Sequence, residues 1–192
     1  MDRSRIKIAI AIALVLLMAC VCCGGVALMG VWSIDRAMVT DPTEAAQLGS
    51  EIASYTLPVG YSEMFGMRLM GMDMLAIAPN PPEPDGMVIF LIKVPADGDI
   101  DQKTLQKQIE GALQQQSAFQ SLKLTLDDVE TRTVNGQEVT LTYRKGENGV
   151  GTPYRQVSAL FNVQNGRVLL LAQGSTAEWD QQALDVLLDS IH

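Results

Sequence analysis

An uncharged run from Ile8 to Trp32 constrains this chain more than any other feature. Its twenty-five residues, at about 1.5 Å each, make a helix of roughly 37 Å, against a hydrocarbon core of about 30 Å. Inside lipid every backbone polar group must be paired within its own segment, so the run is expected to be a helix. The expected division is a cytoplasmic stub and transmembrane anchor over residues 1–34, a linker over 35–41 and a folded domain over 42–192.

Orientation follows from charge. Arg3, Arg5 and Lys7 outweigh Asp2 ahead of the run, whereas Asp35 and Arg36 cancel after it. The positive-inside rule then puts the N-terminus in the cytoplasm and the domain outside, as a single-pass cell-membrane protein held through residues 8–32. A cleaved signal peptide is a competing reading, but the A-x-A strings Ala9–Ala11 and Ala11–Ala13 lie too early in the run. Lipidation at Cys20 is another, because Leu17-Met18-Ala19-Cys20 resembles a lipobox; an apolar stretch, Val21 to Met29, follows it in place of a polar tether. A type IV pilin head is excluded, since the run lacks the glutamate that family needs near its start.

All three cysteines, Cys20, Cys22 and Cys23, fall inside the run. The domain therefore owes nothing to disulfides. The C-x-C-C spacing has no further Cys or nearby His to complete a zinc site, and free Cys serves well as a small apolar residue. Ala19, Cys23 and Ala27 repeat every four residues. Such a small-xxx-small ridge lets two helices approach closely, so a homodimer through these residues is a second use of the span. Lys and Arg total 14 against 22 Asp and Glu, a net charge of −8. That balance excludes binding to nucleic acid or anionic headgroups, where phosphate attraction dominates affinity.

Along the domain, Asp41, Pro42 and Glu44 form an N-cap, first helical position and capping box, and Ala45, Leu48, Ile52 and Tyr55 follow at helical spacing. The helix is expected to end near Tyr55. Ser62 to Ala78 reads as two strands broken near Gly66 or Gly71. Four prolines in Pro79–Gly86 make a stiff loop, and Met87–Val94 is apolar up to Lys93, as in a central strand covered on both faces. Asp97, Asp99 and Asp101 match the start of an EF-hand loop, but Gln102 and Gln108 stand where that loop needs Gly and Glu, so a helix cap is the better reading. Leu105, Ile109, Ala112 and Leu113 then line one face of an amphipathic helix lying on a sheet. Asn135-Gly136 and Asn165-Gly166 are hairpin signals, Val139–Tyr143 and Val157–Val163 alternate as strands, and Val168–Ala172 is a wholly apolar strand. Ser175 and Glu178 are expected to box the last helix, with Trp179, Ala183, Val186, Leu187 and Ile191 buried.

One cluster suggests chemistry. Met64, Met67, Met70, Met72 and Met74 fall close together. Thioethers select Cu(I), which makes Met67, Met70, Met72 and Met74 candidate ligands outside the cytoplasm. The competing reading is an inward strand face, because Met fills irregular cores well. Enzyme signatures are sparse. The only histidine is His192, the terminal residue, expected to fray; there is no G-x-S-x-G; and Gly146–Gly151 lacks the Lys-Ser/Thr of a phosphate-binding loop. Asp127-Asp128 is a carboxylate pair, but neighbours on a strand point to opposite faces. A carboxylate-dependent hydrolase survives only as an alternative.

Leu57-Pro58-Val59-Gly60-Tyr61, Val134-Asn135-Gly136-Gln137-Glu138, and the ending from Asn165-Gly166-Arg167 through Trp179 to Leu187-Leu188-Asp189-Ser190-Ile191 resemble motifs of the PsbP/Mog-like superfamily, over Ser54 to His192. Tyr61 stands where that family often has tryptophan. The resemblance implies an α+β fold, an antiparallel sheet flanked by helices in an α/β/α sandwich, and a binding or assembly role without catalysis. It carries over no functional residues. The expected function is a membrane-anchored extracytoplasmic binding or scaffold domain with a protein partner and no cofactor, with a Met-rich Cu(I)-binding protein as the alternative.

Overall fold

The computed structural model describes residues 38–69, 72–94, 122–164 and 166–192. The expected anchor, its cysteines, the Asp97–Asp101 loop and the amphipathic helix around Leu105–Leu113 lie outside them. Among the described residues no helix is long and apolar enough to cross a membrane. The chain divides into two units, Met1–Met38 and Val39–His192, and the second holds the described helices and almost all of the sheet.

The described architecture is mainly β. A short strand β1 (Met38–Val39), within the stretch expected to be linker, precedes helix α1 (Pro42–Ile52). Strands β2 (Tyr61–Leu69), β3 (Met72–Pro79), β4 (Val88–Val94), β5 (Lys123–Val134), β6 (Gln137–Glu147), β7 (Pro153–Val163) and β8 (Gly166–Ser175) follow, and helix α2 (Gln181–Ser190) closes the chain. They form one eight-stranded sheet in the order β1-β2-β3-β4-β8-β7-β6-β5. From β2 to β5 every adjacent pair is antiparallel.

Strand pleating gives the sheet two faces. On the first, Leu75, Ile77, Ile89, Leu91, Val168, Leu170, Ala172, Val157, Ala159, Phe161 and Leu141 meet Ala45, Leu48 and Ile52 of α1 and Ala183, Leu184, Leu187 and Leu188 of α2. Both described helices therefore cover the same face. On the second face Ala76, Phe90, Ile92, Leu169 and Leu171 form a smaller buried cluster, with Phe65, Met74, Val88 and Leu160 packed beside it. β4 and β8 contribute to both clusters, which is why their sequences read as continuous apolar runs rather than alternating ones.

Local signals explain most boundaries. The Asp41 carboxylate accepts from the Thr43 and Glu44 amides at 2.8 and 3.2 Å, and Pro42 takes the first helical position. β2 ends at Leu69 and β3 begins at Met72, opposite it in the ladder; near Gly66 the ladder continues, and the irregularity falls between Glu63 and Phe65. Asn135 and Gly136 both have positive φ, 48° and 80°, the conformation a two-residue β5–β6 turn demands.

Four expectations need correction. α1 stops at Ile52, three residues before Tyr55, because Ala53 turns extended and the Ser54 backbone is captured elsewhere. In the β7–β8 hairpin Val163 pairs with Gly166, so Gly166 opens β8 and the turn lies one residue earlier than Asn165-Gly166. The last helix starts at Gln181, capped by Asp180, whose carboxylate accepts from the Ala183 amide at 2.9 Å. Ser175 does accept from the Glu178 amide, at 3.2 Å, but it sits in β8 paired with Tyr154, so it closes a turn and caps no helix. The buried face of this helix is Ala183, Leu184, Leu187 and Leu188, which takes in Leu184 and Leu188 and leaves Val186 39% exposed; Trp179 lies ahead of the helix, partly covered beneath the Arg155 guanidinium.

Arg132 fastens α2 to the sheet edge through Asp185 and Asp189, each at 2.7 Å. β5, at that edge, carries Asp127, Asp128, Glu130 and a bulge between Leu126 and Asp128, features that discourage pairing with another chain. Replacing Leu170, fully buried between β7 and β4, with Ala should lower the unfolding free energy by about 3 kcal/mol. Val129→Ala on the exposed edge strand should cost less than about 0.5 kcal/mol. Urea unfolding followed by circular dichroism measures both.

Candidate functional site

Among the described residues, a shaped surface lies where the chain leaves α1 and enters β2. Residues 53–60 run alongside α2 without regular secondary structure and end in a turn. Ser54 and His192 exchange backbone hydrogen bonds in both directions, at 3.1 and 3.0 Å, and the Thr56 amide donates to the Ser190 hydroxyl at 2.8 Å. The connector is thereby tied to the C-terminal end of the last helix. His192 is accordingly held by its backbone rather than frayed, while its side chain stays exposed. At the far end Pro58-Val59-Gly60-Tyr61 closes a turn, with the Tyr61 amide donating to the Pro58 carbonyl at 3.1 Å and Gly60 at φ 83°. Positive φ at the third position is the type II requirement that glycine meets without strain. The turn presents Val59 fully exposed.

A cleft opens on each side of this ridge. Between the connector and α2, about 410 Å³ is lined by Thr56, Leu57, Pro58, Val59, Asp180, Gln182, Ala183 and Val186. Between the connector and α1, about 520 Å³ is lined by Ala46, Ser50, Ala53, Ser54, Tyr55, Thr56, Leu57 and Glu63. Among the described residues, neither lining includes a Lys, Arg or His.

Acidic groups set the electrostatics. Tyr55 donates to Glu63 at 3.0 Å. Burial, and then the Glu63 charge, push its phenol well above the ordinary tyrosine range. Tyr61 is pushed up to about 12, first by burial and then by the carboxylates of Asp180 and Glu83. Both phenols stay protonated at neutral pH, so they offer donors and apolar ring faces, not bases.

The residues singled out by sequence are elsewhere. Register puts Met67 directly across from Met74, with Met72 on the same second face and 39% exposed; Met70 lies outside the described residues. Met74 packs beside the second buried cluster. Among the described residues, no three His, Cys, Asp or Glu side chains come together as a metal site. Asp127 and Asp128 do not converge on a shared site. Asp127 pairs with Lys145, while Asp128 accepts from the neighbouring Val129 amide at 2.8 Å at the bulge. The ridge has no signature of its own in the sequence, except that Leu57–Tyr61 figures in the family resemblance. Its defining bonds join residues more than 130 positions apart, a pairing that no local pattern encodes.

No protein-family model matches the chain, and no curated protein does. Among solved structures, the crystal structure of LpqN involved in cell envelope biogenesis of Mycobacterium tuberculosis is similar at 12% identity and a TM-score of 0.36, covering 72% of this chain and 81% of that one. That is a weak likeness at the level of fold, and the PsbP/Mog-like resemblance rests on its short motifs alone.

Three phenols across the domain give its stability a pH dependence of definite sign. Tyr61, Tyr143 and Tyr154 are each pushed up to about 12, so the folded chain holds protons that the unfolded chain releases near pH 10. The stability these phenols contribute is complete below about pH 10 and is lost as pH rises towards about 12. Urea midpoints measured across the alkaline range should fall over that window, and Tyr61→Phe should make the fall shallower.

Proposed function

We propose that this chain is a single-pass, membrane-anchored binding or scaffold domain displayed outside the cytoplasm, and that a protein partner docks on the ridge formed by residues 53–60. One observation carries the reading. Val59 projects fully exposed from a turn whose backbone is closed by hydrogen bonds and whose connector is tied to α2. Exposing an apolar side chain on a fixed backbone lowers the ordering cost of association. The uncharged run, the basic residues ahead of it and the acidic balance of the rest support the location. A photo-activatable residue at Val59 of the full-length protein, irradiated in intact membranes, should give one protein adduct of discrete size. The same residue at Val129 should not. Equal labelling from both positions would contradict the reading.

We also infer the finer architecture, an α/β/α sandwich of the PsbP-like kind. β4 and β5 are parallel and separated by β8, β7 and β6. A parallel crossover needs a dozen or more residues and is usually made by a helix. The intervening chain carries Leu105, Ile109, Ala112 and Leu113 at helical spacing. Ala76 and Leu169 are fully buried on the second face, where neither described helix packs. Ile109→Asp should therefore destabilise the domain by about 2 kcal/mol or more, and Lys107→Asp by less than about 0.5 kcal/mol; equal effects in urea unfolding would count against the second helical layer.

A further inference from the structure

We propose that the ridge and its two clefts take a cationic, apolar peptide segment of the partner, with lysine or arginine set beside leucine-like side chains. The inference rests on the docking reading above and adds its chemistry.

Shape supplies the apolar half. Leu57, Pro58, Ala183 and Val186 line one cleft, and Val59 stands at its rim. Val186 is 39% exposed, because α2 buries Ala183, Leu184, Leu187 and Leu188 and Val186 lies off that stripe. Small side chains, Ala46, Ser50 and Ala53, line the cleft across the ridge and leave room for a larger side chain from outside. Two clefts flanking one connector suit a segment whose successive side chains fall to either side of the ridge.

Charge supplies the other half. Asp180 lines one cleft and Glu63 the other, and Glu83 lies close enough to act, with Asp180, on Tyr61. Among the described residues, no cationic side chain lines either cleft. The neighbouring cations are engaged elsewhere: Arg132 holds Asp185 and Asp189, and Arg155 lies over Trp179. An acidic segment would meet like charge at every rim, whereas a basic one is steered in by these carboxylates and by the net charge of −8. The carboxylates sit around an apolar floor. Charge therefore sets which partners approach, and Val59 and Val186 set whether they stay.

The test uses the full-length protein in detergent micelles and fluorescence anisotropy with labelled synthetic peptides. One alternates leucine and lysine, one alternates leucine and glutamate, and one alternates serine and lysine. The leucine–lysine peptide should bind at least about tenfold more tightly than either of the others. Val59→Ser combined with Val186→Ser, both at exposed positions, should weaken it by about tenfold without changing the melting curve. Glu63→Gln combined with Glu83→Gln should weaken it several-fold and flatten its salt dependence; the amide oxygen that replaces the Glu63 carboxylate can still accept from Tyr55. Equal binding of leucine–lysine and leucine–glutamate peptides would overturn the proposal, as would binding indifferent to the two valine substitutions. If Val59 cross-links to one membrane neighbour while no basic peptide binds, the docking reading stands and the cationic chemistry falls.

Discussion

Two strands at the centre of the sheet cannot tolerate water on either side. β4 pairs along its whole length with β8, Val88 with Gln173 through Val94 with Arg167, and the two strands place apolar side chains on both faces. Ile89, Leu91, Val168 and Leu170 face α1 and α2, while Phe90, Ile92, Leu169 and Leu171 face the other way. Burying a side chain of this size is worth roughly 2 kcal/mol relative to exposure. The centre of the sheet is therefore buried on both of its faces. Everything nearer the edges is a consequence of that burial. α1 and α2 share the first face because their stripes match it, Arg132 fixes the angle of α2 at the far edge, and β5 is free to be polar.

The ridge is a by-product of closing the first face. To bring α1 and α2 onto one side, the chain must pass from the end of α1 to the start of β2 over the flank of α2. Ser54, His192, Thr56 and Ser190 tie that passage down. A connector fixed in this way becomes a surface with a shape, where a loose loop would offer none. The same closure gathers Asp180, Glu63 and Glu83 around it, because the N-cap of α2, the start of β2 and the loop after β3 meet there. Acidic surroundings and burial both favour the protonated phenols of Tyr55 and Tyr61. Local architecture, charge and docking chemistry thus arise from one packing requirement.

Much of this is legible from residues whose signal is local. Asp41-Pro42 marks a helix start, Asn135-Gly136 a two-residue turn, and the unbroken run before Lys93 a strand covered on both sides. What escapes a local reading is set by distant partners. Tyr55 has helical spacing behind Ile52, yet Ser54 is drawn into a backbone pair with His192, and no window of neighbouring residues contains that bond. Ser175 has the right spacing to box a helix, but its place opposite Tyr154 in the ladder outweighs the cap, and Asp180 serves instead. Val186 sits at helical spacing from Ala183 and reads as core in the sequence, yet it lies off the buried stripe and helps define the cleft. Met67 and Met74 stand out as a cluster, but whether they pack or stand free depends on a strand register that only the paired chains reveal.

Double-sided burial of the central strands is the claim on which the rest stands, and amide hydrogen exchange of the full-length protein resolves it residue by residue. The account predicts that amides of β4 and β8 exchange slowest of all, at the rate of global unfolding, while those of β5 open earlier by local fluctuation. Central amides that exchange as fast as those of β5 would contradict it, because a sheet open to water on its second face could not protect them.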